Sequence, residues 1–201
     1  MTYNSKIISV EIKGNNADVS MEETAIGTVY DKVDKFSVTG EIHAKSTSIY
    51  HLVKLNGRWV ISGETMLSDE SALLYGDARF MNIELIAPAQ VGSGETYTTI
   101  VTADADENTV IVGSLEHDPV VYPSGVPNGP LRTMQKTHIL ERFIKANTDN
   151  INEYAVASLA ISKSTSNKFG GTKVYMAGVA CLMKRVNVIP KNNFAKLEDK
   201  K

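Results

Sequence analysis

Glu41 and His43 stand two residues apart in a Thr- and Ser-rich stretch of this 201-residue chain. At that spacing two side chains share one face of a β-strand. A carboxylate and an imidazole so placed can pass a proton to and from a bound molecule. The solvated side of an ordinary strand presents the same pair, and both readings stay open. Asp104-Ala105-Asp106-Glu107-Asn108 opens like a calcium loop. Leu115 stands where the distal bidentate Glu belongs and the loop glycine is missing, so a polar hairpin turn is expected instead. The four histidines, His43, His51, His117 and His138, lack metal-ligand spacing, and Cys181 has no cysteine partner. No metal site is expected, and no cofactor is implied. Gly170-Gly171-Thr172-Lys173 lacks the rest of a phosphate loop and reads as a turn. No Gly-X-Ser-X-Gly elbow anchors a hydrolase triad. Asn147 to Asn152 reads as an inter-strand loop whose side chains bond their own backbone, with a recognition loop as the sharper alternative.

The elements that must position these residues are strands. Ile7, Ile8, Val10 and Ile12 alternate with Ser9, Glu11 and Lys13, the pattern of a half-buried strand. Gly14-Asn15-Asn16 supplies a turn, and a second strand runs from Ala17 to about Thr28 with Val19 and Met21 on one side. Tyr30 to Phe36 reads as a charged loop. Ser37 to Leu55 is a strand too long to be straight, with a bulge expected near Ala44 to Ser48. Asn56-Gly57 is the strongest hairpin signal in the chain, and Arg58 to Ser62 returns from it. Ser68-Asp69-Glu70-Ser71 offers capping residues, so Ala72 to Tyr75 is expected as one helical turn ending at Gly76.

Further strands are expected at Phe80–Ile86, Glu95–Ala103, Thr109–Leu115, Val120–Tyr122, Thr137–Lys145, Glu153–Ile161 and Lys173–Ile189. Pro123 to Pro130 is a Pro/Gly-rich loop. Cys181 falls within the last strand, as a buried and inert thiol. The expected fold is therefore mainly β: a curved antiparallel sheet over residues 1–67, a linker at 68–79, a β-sandwich of immunoglobulin-like kind at 80–190, and a charged tail at 191–201.

Composition narrows the function classes. Hydrophobic residues make up 42% and charged residues 22%, enough to bury a core, and the net charge is −2. A chain that coats nucleic acid or an anionic membrane needs a surplus of Lys and Arg, so no nucleic-acid partner is expected. No apolar run reaches the ~20 residues of a spanning helix. Met1-Thr2-Tyr3-Asn4-Ser5-Lys6 lacks the apolar region of a secretory signal, so the chain as written reads as cytoplasmic; an incomplete N-terminus would make it exported or envelope-associated.

The run Ile49-Tyr50-His51-Leu52-Val53-Lys54-Leu55-Asn56-Gly57-Arg58-Trp59-Val60-Ile61 resembles the closing hairpin of nuclear-transport-factor-2-like domains, the group that includes SnoaL-like and ketosteroid-isomerase-like proteins. Ile8-Ser9-Val10-Glu11-Ile12 with Ala17-Asp18-Val19 resembles an earlier hairpin of that group, so the likeness spans residues 5–66. It implies part of a cone-shaped α+β fold around a pocket for a small apolar ligand. In the group's isomerases a general base and a hydrogen-bonding Tyr or acid face that pocket, which makes Glu41, His43, Tyr50 and His51 the candidates for catalysis. Trp59 and Tyr50 are the candidates for binding. The group closes its pocket with N-terminal helices, whereas this chain starts on a strand. Cover for the sheet is then expected from the second domain, a partner chain or residues upstream, because monomers seldom leave a large apolar face bare. The leading expectation is a non-enzymatic binding or assembly protein with a protein partner or with itself as partner; the alternative is a small-ligand-binding or isomerase- or cyclase-like pocket protein.

Overall fold

Alternating side chains carry the first part of the chain much further than single strands usually run. The computed structural model describes residues 1–33, 36–119, 132–134, 139–166 and 170–191. Its first four elements are antiparallel strands in sequence order: β1 (Thr2–Lys13), β2 (Asn16–Val33), β3 (Phe36–Leu55) and β4 (Arg58–Gly76). They have 12, 18, 20 and 19 residues, against a usual range of roughly 3–10. Positive φ at Gly14 closes the first hairpin, and at Asn56 and Gly57 the third, as tight two-residue turns require.

Two local expectations are corrected here. Tyr30 to Val33 continues β2 rather than forming a loop. Residues 68–76, expected as the start of a linker with a helical turn at 72–75, are the end of β4. The reason is a distant partner: Glu70 to Gly76 pairs with the strand Thr172–Ile189. Those ladder bonds outweigh the helical preference of an Ala-Leu-Leu run. The irregularity expected near Ala44 to Ser48 does fall opposite Thr47 and Ser48. The extra residue, however, is Leu67 in β4, and Ser62 is a second one.

After one 3-10 turn at Asp77–Phe80, the chain forms β5 (Ile83–Ile86), β6 (Gln90–Gly92), β7 (Thr96–Ala103), β8 (Thr109–Pro119), β9 (Arg132–Thr133), β10 (Ile139–Lys145), β11 (Glu153–Ser166) and β12 (Thr172–Ile189). The large sheet has the order β1-β2-β3-β4-β12-β11-β8-β9, with β6 parallel to the end of β12. A small sheet has the order β10-β7-β5. The protein is thus mainly β. Val120–Tyr122, Pro123–Pro130, His138 and the tail from Asn192 lie outside the described residues.

The core lies where the small sheet packs on the large one. Leu85, Val101 and Leu140 of the small sheet meet Ile111, Leu115, Leu159, Ile161, Ala180 and Leu182 of the large one. Strand β7 shows why, since its alternate residues Tyr97, Thr99, Val101 and Ala103 are all buried. Ala72 and Leu74, at the end of β4, are the last side chains of the long strands to pack against this core. Among the described residues, β1 to β4 continue beyond them as a single layer, and every residue of β1 is exposed.

Candidate functional site

The pairing register assigns each side chain of the long strands to one of two sides, because directly opposed residues point the same way. One side carries Ala72 and Leu74 and is the side on which the small sheet lies. Glu41, His43, Lys45 and His51 share it. The other, open side carries Tyr50, Trp59 and Ile61. Tyr50 therefore faces away from the other three candidates. His51 lies eight residues along β3 from His43, about 26 Å at the usual rise per residue. The four do not converge on one point.

Glu41 and His43 do meet, with Nε2 of His43 3.4 Å from Oε2 of Glu41, and Arg79 lies 3.8 Å from the other carboxylate oxygen. His43 also lines a cavity of about 440 Å³ beside β5, together with Ile26, Lys45, Glu70, Leu85 and Lys184. Lys45 and Lys184 are held there by Glu22 at 2.9 Å and Glu70 at 3.5 Å. His51 has other partners. Its Nδ1 is 2.7 Å from Oδ1 of Asp18 and its Nε2 2.8 Å from Oγ1 of Thr65. Carboxylate, imidazole and hydroxyl follow in the order of a hydrolase triad. The row lies open on the single-layer sheet, though, and the Asp18 and His51 side chains are about half exposed. Catalysis by such a row requires oriented donors for a developing oxyanion in a site that excludes water. The chemistry this geometry does show is a cross-strand polar ladder.

On the open side, the Tyr50 hydroxyl donates to Glu23 at 3.0 Å, and the Tyr3 hydroxyl donates to the other oxygen of the same carboxylate. The bond to Glu23 pushes the Tyr50 phenol up to about 12. Trp59 sits near the turn with the Lys54 ammonium 5.7 Å from its ring centroid. The calcium-like run forms a turn after β7: Oδ1 of Asp106 accepts from the Asn108 amide at 3.1 Å and the Thr109 hydroxyl at 2.6 Å. Cys181 is half-buried in β12, and burial raises its thiol pKa. Among the described residues, no three His, Cys, Asp or Glu side chains gather to hold a metal ion. Nor is any helix there long and apolar enough to cross a membrane.

Sequence reasoning did not single out Glu153, inside the sandwich and 1% exposed. It accepts from the Tyr97 hydroxyl at 3.1 Å and from the backbone and side-chain N–H of Asn147 at 2.6 and 2.7 Å, and its Oε2 lies 3.2 Å from Nδ1 of His117. Asn147 in turn organises its loop, its Oδ1 accepting from the amides of Asp149 and Ile151. This loop, expected to bond its own backbone, does so.

The apolar sheet face expected from the sequence is this open side. Ile12, Ala17, Leu52 and Ile61 form one cross-strand row; Val10, Val19, Tyr50 and Glu64 form the next; Ile7, Met21, Ser48 and Met66 form the third. Ile7, Val10, Ile12 and Ile61 are 59%, 54%, 61% and 66% exposed, well past what an isolated surface residue needs to explain it. The reverse of the same strands carries the ion pairs of Lys13 with Glu11, Lys45 with Glu22 and His51 with Asp18 beside the apolar Ile26, Ile49, Val53, Leu55 and Val60. The signal was in the sequence, as apolar alternation in both hairpins. An extra residue at Ile8 in β1 puts Ile7, not Ile8, on the side of Val10. No family model, curated protein or solved structure matches the chain.

Proposed function

We propose that the protein is a non-enzymatic binding or assembly protein whose working surface is the open side of the long sheet. The contrast between the two sides of β1 to β4 carries this reading. One carries ion pairs that interrupt its apolar residues; the other has Ile7, Val10, Ile12 and Ile61, each more than half exposed, in adjacent rows that nothing among the described residues covers. A photo-reactive side chain at position 61 is expected to give macromolecular adducts in the cells that make the protein, and one at position 9, on the polar side, to give none. Adducts at neither position, or equally at both, would remove this surface from the account.

One observation favours a second reading, as a pocket protein of the SnoaL-like group. The cavity beside His43 falls within the roughly 300–1,000 Å³ of small-molecule sites and mixes apolar walls with His43, Lys45, Glu70 and Lys184. On that reading a small apolar ligand lies against Ile26 and Leu85 with its polar end at His43. Replacing Glu41 and His43 by Ala then abolishes uptake of a ligand that co-purifies with the protein, whereas it leaves the adducts at position 61 unchanged.

A further inference from the structure

We infer that the cavity beside β5 seats an extended peptide from a partner protein, added to the free edge of β5 as a further strand of the small sheet. The cavity lies on the opposite side of the large sheet from the proposed working surface, so the inference goes beyond that reading and fails separately from it. Among the described residues, β5 pairs with β7 alone. The Asp104 amide donates to the Asn82 carbonyl at 3.0 Å, which makes Asn82 and Asp104 a hydrogen-bonded pair at the end of this ladder. Such pairs alternate along antiparallel strands. The backbone groups of Glu84 and Ile86 therefore bond β7, and the N–H and C=O groups of Ile83 and Leu85 turn the other way. The ladder of β7 with β10 has the matching phase, since the Ala146 amide donates to the Glu95 carbonyl at 2.9 Å.

These donors and acceptors face the place of the missing strand. The small sheet stops at β5, which lies against β12, whereas the large sheet runs on through β4, β3 and β2. Strands in both sheets are about 4.8 Å apart, so the next strand after β5 lies over β4. The cavity of about 440 Å³ is found there. Ile83 and Leu85 form its wall, and Ile26, His43, Ala72 and Leu182 form one cross-strand row of its floor.

Wall and floor together define the occupant. A second extended backbone meets two N–H and two C=O groups at once, whereas a small apolar ligand leaves all four unmet. Sheet edges refuse an added strand with lysine, proline or a bulge. Strand β5 has neither residue, its pairing is regular, and its single charge, Glu84, stands on the outer side away from the floor. The charges of the floor are closed in pairs, Lys45 with Glu22 at 2.9 Å and Lys184 with Glu70 at 3.5 Å. The matching peptide therefore has uncharged apolar residues at alternate positions, laid on Ile26, Ala72 and Leu182. It continues the packing that Leu85 and Val101 already make on Ala180 and Leu182.

Selection from a phage-displayed library of random dodecapeptides on the whole protein tests the inference. Selected peptides are expected to carry apolar residues at alternate positions. On binding they shift the backbone amide signals of Ile83 and Leu85 more than those of Glu84 and Ile86, and slow the exchange of the first two. N-methylation at alternate peptide amides weakens binding about tenfold or more, and at the intervening amides leaves it unchanged. A ligand held by its side chains alone does not show that alternation. A selection that yields no peptide, peptides indifferent to N-methylation, or shifts confined to residues away from β5 overturns the inference. Slow exchange of the Ile83 and Leu85 amides in the free protein overturns it as well, because the edge is then already filled. Adducts at position 61 report on the open side alone and are untouched by either result.

Discussion

Replacing Glu153 by Ala lowers the stability of the fold by about 3–5 kcal/mol, the usual loss when one member of a buried polar network is removed. At roughly 2–4 °C per kcal/mol for a chain of this size, the melting midpoint falls by about 10 °C or more. The effect is large because Glu153 is 1% exposed and serves the Tyr97 hydroxyl and two N–H groups of Asn147 at once. Removing the carboxylate leaves those donors inside the sandwich without an acceptor. Glu153→Gln keeps the shape and one carbonyl oxygen for Asn147, so it is the milder change. Equal losses for Ala and Gln would contradict the network account. The same network has an alkaline signature. Burial, and then the nearby Glu153, raises the Tyr97 phenol well above its ordinary value. A group whose folded pKa is raised contributes fully below its unfolded value, about pH 10, and loses that contribution as pH rises further. The Tyr97 contribution is therefore constant up to about pH 10 and falls beyond it, and Tyr97→Phe reduces the alkaline loss of stability.

Gly76→Ala is expected to cost about 3 kcal/mol or more. Gly76 has φ 58° and ψ −133°, a conformation in essence reserved for glycine. A Cβ there falls 2.2 Å from the carbonyl oxygen of Ala177, a backbone atom that cannot swing aside. Its partner Gly178 is as tight, with backbone atoms of Tyr75, Ala78 and Asp77 at 2.7, 2.8 and 3.0 Å from a Cβ. This pair joins the long single-layer strands to the sandwich, and Ala177 is the extra residue that lets β12 pass. Gly170→Ala is the control, because Gly170 also has positive φ but open space around it. It costs only the backbone strain, about 1–2 kcal/mol. Chemical denaturation of the two variants separates clash from strain, and a Gly76→Ala loss no greater than that of Gly170→Ala would remove the close approach from the account.

These two sites mark where the sequence could and could not be read. The turns at Gly14 and Asn56-Gly57 were legible because positive φ restricts residue choice locally. The strands were legible through alternation, which also puts Tyr50 and His51 on opposite sides, so adjacency in sequence was no sign of a shared site. Ala72 to Tyr75 misled because Leu73 and Leu74 are apolar on both sides of the sheet. That pattern is ambiguous between a helix and a strand until the partner, β12, is known. Glu153 had no local signal at all: its partners Tyr97 and His117 lie 56 and 36 residues away in sequence. Ile7, Val10 and Ile61 were visible as the apolar half of two hairpins, but not that the sandwich would leave them uncovered. That depends on the small sheet ending at β5.

Amide hydrogen exchange, followed peptide by peptide at low and high protein concentration, tests the central claim most directly. The account predicts that the far halves of β1 to β4, around Val10, Val19, Leu52 and Ile61, exchange more slowly as concentration rises. Peptides of β7 and β11 should not respond. Fast exchange in β1 to β4 at every concentration would show that the open side stays bare, and would contradict the account.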